Sequence, residues 1–307
     1  MPQCPLCNAA SPAKYATATD VEYFTTSKKF DYYECSVCDI LFIDPMPVNE
    51  LNSIYPSNYY SFTAMNRSIS FRLKDLIDTI FYRKILKQVP GNDLKALDIG
   101  GGTGTLLDSL IKADKRITHT QVVDIDPKAR PIVEAKGYHY YCGTIERFSG
   151  NVAYDVILML NLIEHVANPK AVIEKAVSLL SNTGVIIIKT PNYKSLDAVL
   201  FKKTYWGGLH CPRHWILFTK KSFENLSSNC GLEVQHFSYT QGAPFWSFSI
   251  LHWLHKKKLI KADKDHPVIY HPLFSVISIA AAAFDFIRKP FAALSQMFFV
   301  ITKRTNN

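Results

Sequence analysis

Glycine is scarce in this chain, 13 in 307 residues, and charged residues make up only 20%. With 48% hydrophobic residues there is ample material for a buried core, which excludes global disorder. The scarcity of glycine and the lack of any internal repeat exclude collagen-like and low-complexity architectures. No apolar run is long enough to span a bilayer. The longest, Leu273 to Phe284, would rise about 18 Å as a helix against about 30 Å of hydrocarbon. The first residues lack a basic stretch followed by an apolar one, so no signal peptide is expected, and a cytoplasmic protein with reduced thiols is. Acidic residues are also in deficit: 26 Asp and Glu against 35 Lys and Arg leave a net charge of +9. The imbalance is concentrated from Leu251 onward, where nine Lys/Arg accompany three Asp. That basic, aromatic-rich end points to an anionic partner: a membrane surface, a nucleic acid or a phosphorylated substrate.

Four of the seven cysteines form two Cys-x-x-Cys pairs, Cys4/Cys7 and Cys35/Cys38. In a reducing compartment, two such knuckles complete a tetrahedral Zn²⁺ shell. The 27 residues between the pairs exceed the usual ribbon spacing, which a longer hairpin absorbs. A redox Cys-x-x-Cys would open a helix, whereas Pro5 and the strand-like YYEC around Cys35 argue against that. Four ligands leave no open position, so the expected ion is structural.

Residues 1–45 therefore read as a zinc ribbon, and 46–89 as a Tyr- and Pro-punctuated linker followed by a helix. That helix spans 68–89, with apolar positions at Phe71, Leu76, Ile77, Ile80, Phe81 and Leu86. From residue 90 to 307, short apolar runs alternate with amphipathic stretches: KALDIG then TLLDSLIKA, VVDID then PKARPIVEAKG, YDVILML then NPKAVIEKAVSLL, and GVIIIKT then FTKKSFENLSSN. This alternation predicts βαβ units and a parallel sheet covered on both faces. A helical segment, 245–296, then precedes a last strand, MFFVITK.

Four of the 13 glycines fall within five positions, in Asp98-Ile99-Gly100-Gly101-Gly102-Thr103-Gly104. Between a strand and a helix, glycines permit a sharp turn and close backbone approach to a ligand. The loop lacks the Gly-Lys-Ser/Thr of a phosphate-binding P-loop. A second acid, Asp124, ends the next strand 20 residues after Gly104, where a carboxylate can accept from two ribose hydroxyls.

These motifs resemble the class I S-adenosylmethionine-dependent methyltransferases over about residues 90–240. LDIGGGTGTLL is similar to their first motif, VVDIDP to the acidic second, CGTIERF to the segment flanking adenine, and YDVILMLNLIEHVANP to the motif of the fourth strand. The paired knuckles followed by LFIDPMP and a Tyr-rich stretch (Tyr55, Tyr59, Tyr60) are similar to members with an N-terminal zinc module, including sugar C-methyltransferases. The resemblance implies a Rossmann-like, doubly wound seven-strand sheet with a helical insertion before the last strand. It implies S-adenosyl-L-methionine held by Asp98, Gly100, Gly102, Gly104, Asp124, Ile125 and Asn161, with Thr144, Ile145 and Glu146 beside the adenine. A small-molecule substrate is expected, such as a sugar, a polysaccharide precursor or a lipid-linked intermediate.

Ligands of open α/β sheets bind beyond the carboxyl ends of the strands. Glu164 and His165 should lie there after the fourth strand, and His210, Arg213 and His214 after the fifth. An imidazole suits the general base of methyl transfer, which makes His165 and His214 candidates, with Glu164 beside them. His165 could instead position its loop, and Glu164 with His165 could hold a divalent ion. Tyr59 and Tyr60 could close over the pocket or pack between ribbon and core. Two rival functions stay open. An RNA base methyltransferase would suit the basic charge, although Asn161-Leu162-Ile163-Glu164 replaces the Asn/Asp-Pro-Pro-aromatic motif of nucleic-acid amino methylation, which disfavours nucleic acid. The other is a non-catalytic cofactor-binding protein. The C-terminal aromatics with Lys256-Lys257-Lys258 could either cap the substrate pocket or make peripheral contact with an anionic membrane.

Overall fold

The structure, a computed structural model, describes residues 2–55, 69–202 and 205–304. The chain opens with three strands, β1 (Ala13–Ala18), β2 (Phe30–Cys35) and β3 (Ile40–Asp44), then α1 (Leu51–Ile54) and α2 (Ile69–Leu86). The alternating region follows as β4 (Leu94–Ile99), α3 (Thr105–Ala113), β5 (Ile117–Asp124), α4 (Arg130–Glu134), β6 (His139–Cys142), β7 (Tyr154–Leu160), α5 (Pro169–Leu179) and β8 (Leu180–Pro191). It continues through α6 (Leu196–Phe201), β9 (Ile216–Leu217), α7 (Lys220–Asn229), β10 (Leu232–Thr240), α8 (Ala243–Lys256), α9 (Leu273–Arg288) and β11 (Gln296–Lys303).

Seven strands form one sheet in the order β10-β11-β8-β7-β4-β5-β6. The five strands from β8 to β6 pair in parallel, and β11 inserts antiparallel between β8 and β10. The parallel strands read as continuous apolar runs because both faces are covered. Alternation assigns the faces: Leu97, Ile99, Ile186 and Ile188 join one core, and Leu94, Ala96, Val185 and Ile187 the other. α2 and α3 cover the second face through Tyr82, Leu86, Leu107 and Leu110. Only part of the expected stripe of α2 is used, since Leu76, Ile77 and Ile80 are exposed. α7 starts at a capping box in which Thr219 and Ser222 satisfy each other's backbone N–H groups.

The N-terminal strands form a second sheet, β1-β2-β3-β9. Its fourth strand comes from the far side of the chain, with Leu41 facing Leu217 and Phe42 facing Ile216. Tyr32 and Ile40 to Ile43 are buried in the same core as Ile186 and Ile188, so the ribbon and the large sheet share one hydrophobic interior. The strand order reverses around β4, with β5 on one side and β7 on the other. A crevice at the carboxyl ends of β4 and β7 is the topological switch point of such a sheet.

Candidate functional site

The end of β4 and the turn into α3 make one wall of that crevice. Gly100, Gly102 and Gly104 all have positive φ, 72°, 50° and 72°, which L side chains rarely adopt. Gly101 serves a different need, since a Cβ there would lie 2.5 Å from the Asp98 carboxylate. Asp98 is buried, and among the described residues neither carboxylate oxygen has a hydrogen-bond partner. Burial, reinforced by the Asp124 charge, pushes its carboxyl up to about 8. Asp124, at the end of β5, accepts from the Gly102 N–H at 2.8 Å and from the Asp126 N–H at 2.9 Å. Burial raises its carboxyl, and these N–H donors offset part of the effect.

An orphaned buried carboxylate beside a glycine turn calls for a donor-bearing, cationic ligand group. S-adenosylmethionine, with a cationic amino group and two ribose hydroxyls, fits both acids. Of the other residues expected around it, Ile125 is exposed next to Asp124, Thr144 is exposed, and Ile145 is buried in the core. Asn161, just after β7, lies in the left-handed region, and its Oδ1 accepts from Gln296 Nε2 at 3.1 Å. Leu162 closes over the glycine turn, its Cδ1 2.8 Å from where a Cβ on Gly100 would sit.

The second wall joins the loop after β7 to the segment before β9. Glu164 is fully buried. Its Oε2 accepts from the Thr190 hydroxyl at 3.0 Å, and its Oε1 has no hydrogen-bond partner among the described residues. Burial pushes its carboxyl up to about 8. His214 donates from Nδ1 to the Gly208 carbonyl at 2.7 Å, which leaves the lone pair on Nε2, 3.9 Å from Glu164 Oε1. His165 donates from Nδ1 to the Arg213 carbonyl at 3.0 Å, with the Tyr55 hydroxyl also 3.0 Å away. Burial holds both imidazoles neutral, His165 down to about 3 and His214 well below the usual histidine range. One ligand atom each from Glu164, His165 and His214 lie within 4.8 Å of one another.

The ribbon reaches this wall through two acids that the sequence did not single out. Asp20 pairs with Arg213 at 2.8 Å, both side chains fully buried, and Arg213 Nε donates to the Ile54 carbonyl at 2.7 Å. Glu22 lies 2.5 Å from His210 Nδ1 and accepts from the Tyr205 hydroxyl at 2.8 Å. Burial opposes the charge on Asp20, but Arg213 and the hydrogen-bond donors around it still hold its carboxyl below the usual range. The rings of His210 and His214 are 5.0 Å apart, so this network supports the histidine cluster directly. Nothing in the local sequence marks Asp20 or Glu22, because their partners lie 193 and 188 residues away.

Residues 65–237 match the family model described as a methyltransferase domain, which is more than half of the chain. The chain belongs to this methyltransferase family. Its curated relatives include the ubiquinone biosynthesis O-methyltransferase of Rhodopseudomonas palustris (strain BisB5), 30% identical over 122 residues, 36% of this chain and 46% of that protein. That of Parvibaculum lavamentivorans is 32% identical over 173 residues, 52% of this chain and 68% of that protein. The chain thus spans about half the length of the first of these relatives. The solved structure of coclaurine N-methyltransferase, bound to N-methylheliamine and SAH, shares the fold at a TM-score of 0.51 and 14% identity, covering 84% of this chain and 80% of that one. The fold is that of the class I S-adenosylmethionine-dependent methyltransferases, with the seven-stranded sheet and glycine turn described above.

The four knuckle cysteines also come together. Cys4 and Cys38 sulfurs are 3.3 Å apart and those of Cys7 and Cys35 3.6 Å, and all four lie within 4.8 Å of one another. A tetrahedral ion with metal–sulfur bonds of about 2.3 Å needs sulfurs roughly 3.8 Å apart, which this cluster approaches. Tyr59 and Tyr60 lie outside the described residues.

Proposed function

We propose that the protein transfers a methyl group from S-adenosylmethionine to a hydroxyl of a small molecule. The observation that carries this reading is the pair of neutral imidazoles, His165 and His214, with their Nδ1 protons held by the Arg213 and Gly208 carbonyls. Bound over the glycine turn, S-adenosylmethionine supplies an electrophilic methyl on a sulfonium. Asp98 and Asp124 hold and orient the cofactor there. His214 Nε2 accepts the proton that the acceptor hydroxyl loses; the Gly208 carbonyl fixes the tautomer, and the Glu164 carboxyl 3.9 Å from Nε2 offsets the cost that burial puts on the imidazolium. His165 is positioned by Arg213 and Tyr55, with its ring 4.6 Å from that of His214. A hydroxyl, unlike an amine, needs such a base, and the curated relatives carry O-methyltransferase in their names. Sugars and lipid-linked alcohols both belong to this acceptor class. Cys4, Cys7, Cys35 and Cys38 hold one structural Zn²⁺, which keeps the ribbon in place to deliver Asp20 and Glu22.

A second reading rests on the unpartnered Glu164 Oε1: with His165 and His214 it could bind a divalent cation that orients the acceptor oxygen. Methyl transfer from labelled cofactor to fractionated small-molecule, lipid and RNA pools tests the function. Label in a hydroxyl-bearing small molecule is expected, and label confined to RNA refutes it. His214→Ala should lower turnover about 10²–10⁴-fold with cofactor affinity retained. Loss of turnover on mild chelation, restored by Mg²⁺, would favour the cation reading.

A further inference from the structure

The helical hairpin of α8 and α9 has its polarity divided in an unusual way. α8 is rooted at the site, where the Phe245 and His214 rings are 6.5 Å apart, and it buries Trp246, Phe248 and Leu251. The aromatic cluster foreseen there is therefore mostly interior. α9 packs on α8 through Ala281, and the Trp246 and Phe284 rings meet edge to face at 5.7 Å. Its opposite face is apolar and open: Val276, Ile279, Phe286 and Ile287 are 62%, 70%, 80% and 73% exposed, and Phe291 just beyond is 90% exposed. At 3.6 residues per turn, positions 276, 279, 286 and 287 fall within about 100° of one another, on one stripe of the helix.

The charged residues of α9 point the other way. Asp285 is fully buried, accepting from the Gly242 N–H at 3.2 Å, and Arg288 folds back within 3.7 Å of it. A helix facing water normally hides its apolar stripe and exposes its charges, and this one does the reverse. Exposed Val199 and Leu200 of α6 extend the surface, since Phe201 of α6 packs with Trp246 and Ala281. Exposed lysines sit at both ends of the hairpin: Lys289 follows α9, and Lys256 closes α8 with Lys257 and Lys258 just beyond.

We infer that this face of the hairpin docks on the surface of an anionic lipid bilayer. Phe286, Ile287 and Phe291 enter the headgroup–acyl boundary, and the flanking lysines meet the lipid phosphates. The charge pattern selects a membrane over a second copy of the chain. Two copies would bring identical lysine clusters together around the apolar contact, whereas an anionic headgroup layer is complementary to them. No helix among the described residues is long and apolar enough to cross a membrane, so the attachment is peripheral. The inference does not depend on which acceptor the site methylates.

The test is sedimentation of the full-length protein with phosphatidylcholine vesicles, with and without phosphatidylglycerol, alongside its mass by sedimentation velocity. The wild type should pellet with anionic vesicles at low salt and be released by high salt. Phe286→Asp combined with Ile287→Asp should stay in the supernatant. Lys256→Gln combined with Lys257→Gln should bind about 30-fold more weakly, at about 1 kcal/mol per lysine. All four positions lie outside the methyl-transfer site, so unchanged circular dichroism and S-adenosylmethionine affinity would verify that both variants fold. A wild type that remains in the supernatant with anionic vesicles at low salt overturns the inference. So does a concentration-dependent dimer that Phe286→Asp abolishes while vesicles bind neither protein.

Discussion

Replacing Asp98 by Asn should stabilise the cofactor-free protein and cripple cofactor binding. Both oxygens of this buried carboxyl lack partners among the described residues, and its pKa rises from the ordinary 3.8 to about 8. In the unfolded chain the group is ionised above about pH 4, so folding at pH 7 requires it to take up a proton. That uptake occurs roughly three pH units above the ordinary pKa, and at about 1.4 kcal/mol per unit it costs about 4 kcal/mol. Because the folded pKa is the higher one, the folded state binds more protons between pH 4 and pH 8, and stability falls as pH rises through that window. Asn cannot ionise and keeps the shape, but its buried amide lacks partners too, at a cost of about 1–3 kcal/mol. The net gain at pH 7 is therefore about 1–3 kcal/mol. At about 2.1 cal/mol/K per residue over 307 residues, the melting temperature should rise about 2–5 °C. The difference should widen toward pH 8 and disappear or reverse near pH 4. S-adenosylmethionine affinity should drop about 10–100-fold, the worth of a hydrogen bond to a charged group. Thermal unfolding without cofactor from pH 5 to 8.5, with calorimetric titration of the cofactor at pH 7.5, measures both. Parallel pH–stability curves for the two proteins, with equal cofactor affinity, would refute the reasoning.

Asp124→Ala should weaken cofactor binding by about 1–3 kcal/mol, read by the same calorimetry, because it removes the acceptor at the end of β5 and frees the Gly102 N–H. Gly101→Ala should do comparable damage by pushing on the Asp98 carboxylate 2.5 Å from the new methyl, and an unaltered affinity would place the ligand elsewhere. Arg213→Met strands the buried Asp20 charge, so stability should fall by about 3–5 kcal/mol, visible as a melting point about 5–8 °C lower. Cys35→Ser should reduce zinc from one ion per chain to well below one by metal analysis. It should also lower methyl transfer, since the ribbon carries Asp20 and Glu22 into the histidine network.

Much of the fold was legible because local pattern suffices for it. The apolar runs around Ala96, Val122, Ile157 and Ile187 had to be strands covered on both faces, and the glycines after Asp98 marked a sharp turn, three of them with positive φ. The pairing of the cysteine knuckles was equally local, since two sulfurs per knuckle need only a tight turn. What the sequence could not carry were contacts whose partners are far apart in the chain. β9 completes the ribbon sheet from 176 positions beyond Leu41, as fixed by the facing of Leu41 and Leu217 rather than by any motif. Nothing near Asp20 or Glu22 in the sequence marks them, and only tertiary packing buries them against Arg213 and His210, where a buried polar group needs its partner. The outward apolar face of α9 was also hidden from sequence, because composition reports how apolar a helix is but not which side its neighbours cover. Periodicity and turn chemistry are properties of short stretches and survive in a sequence. Burial is a property of the assembled chain, and it alone decided which acids became part of the site and which hydrophobic residues stayed in water.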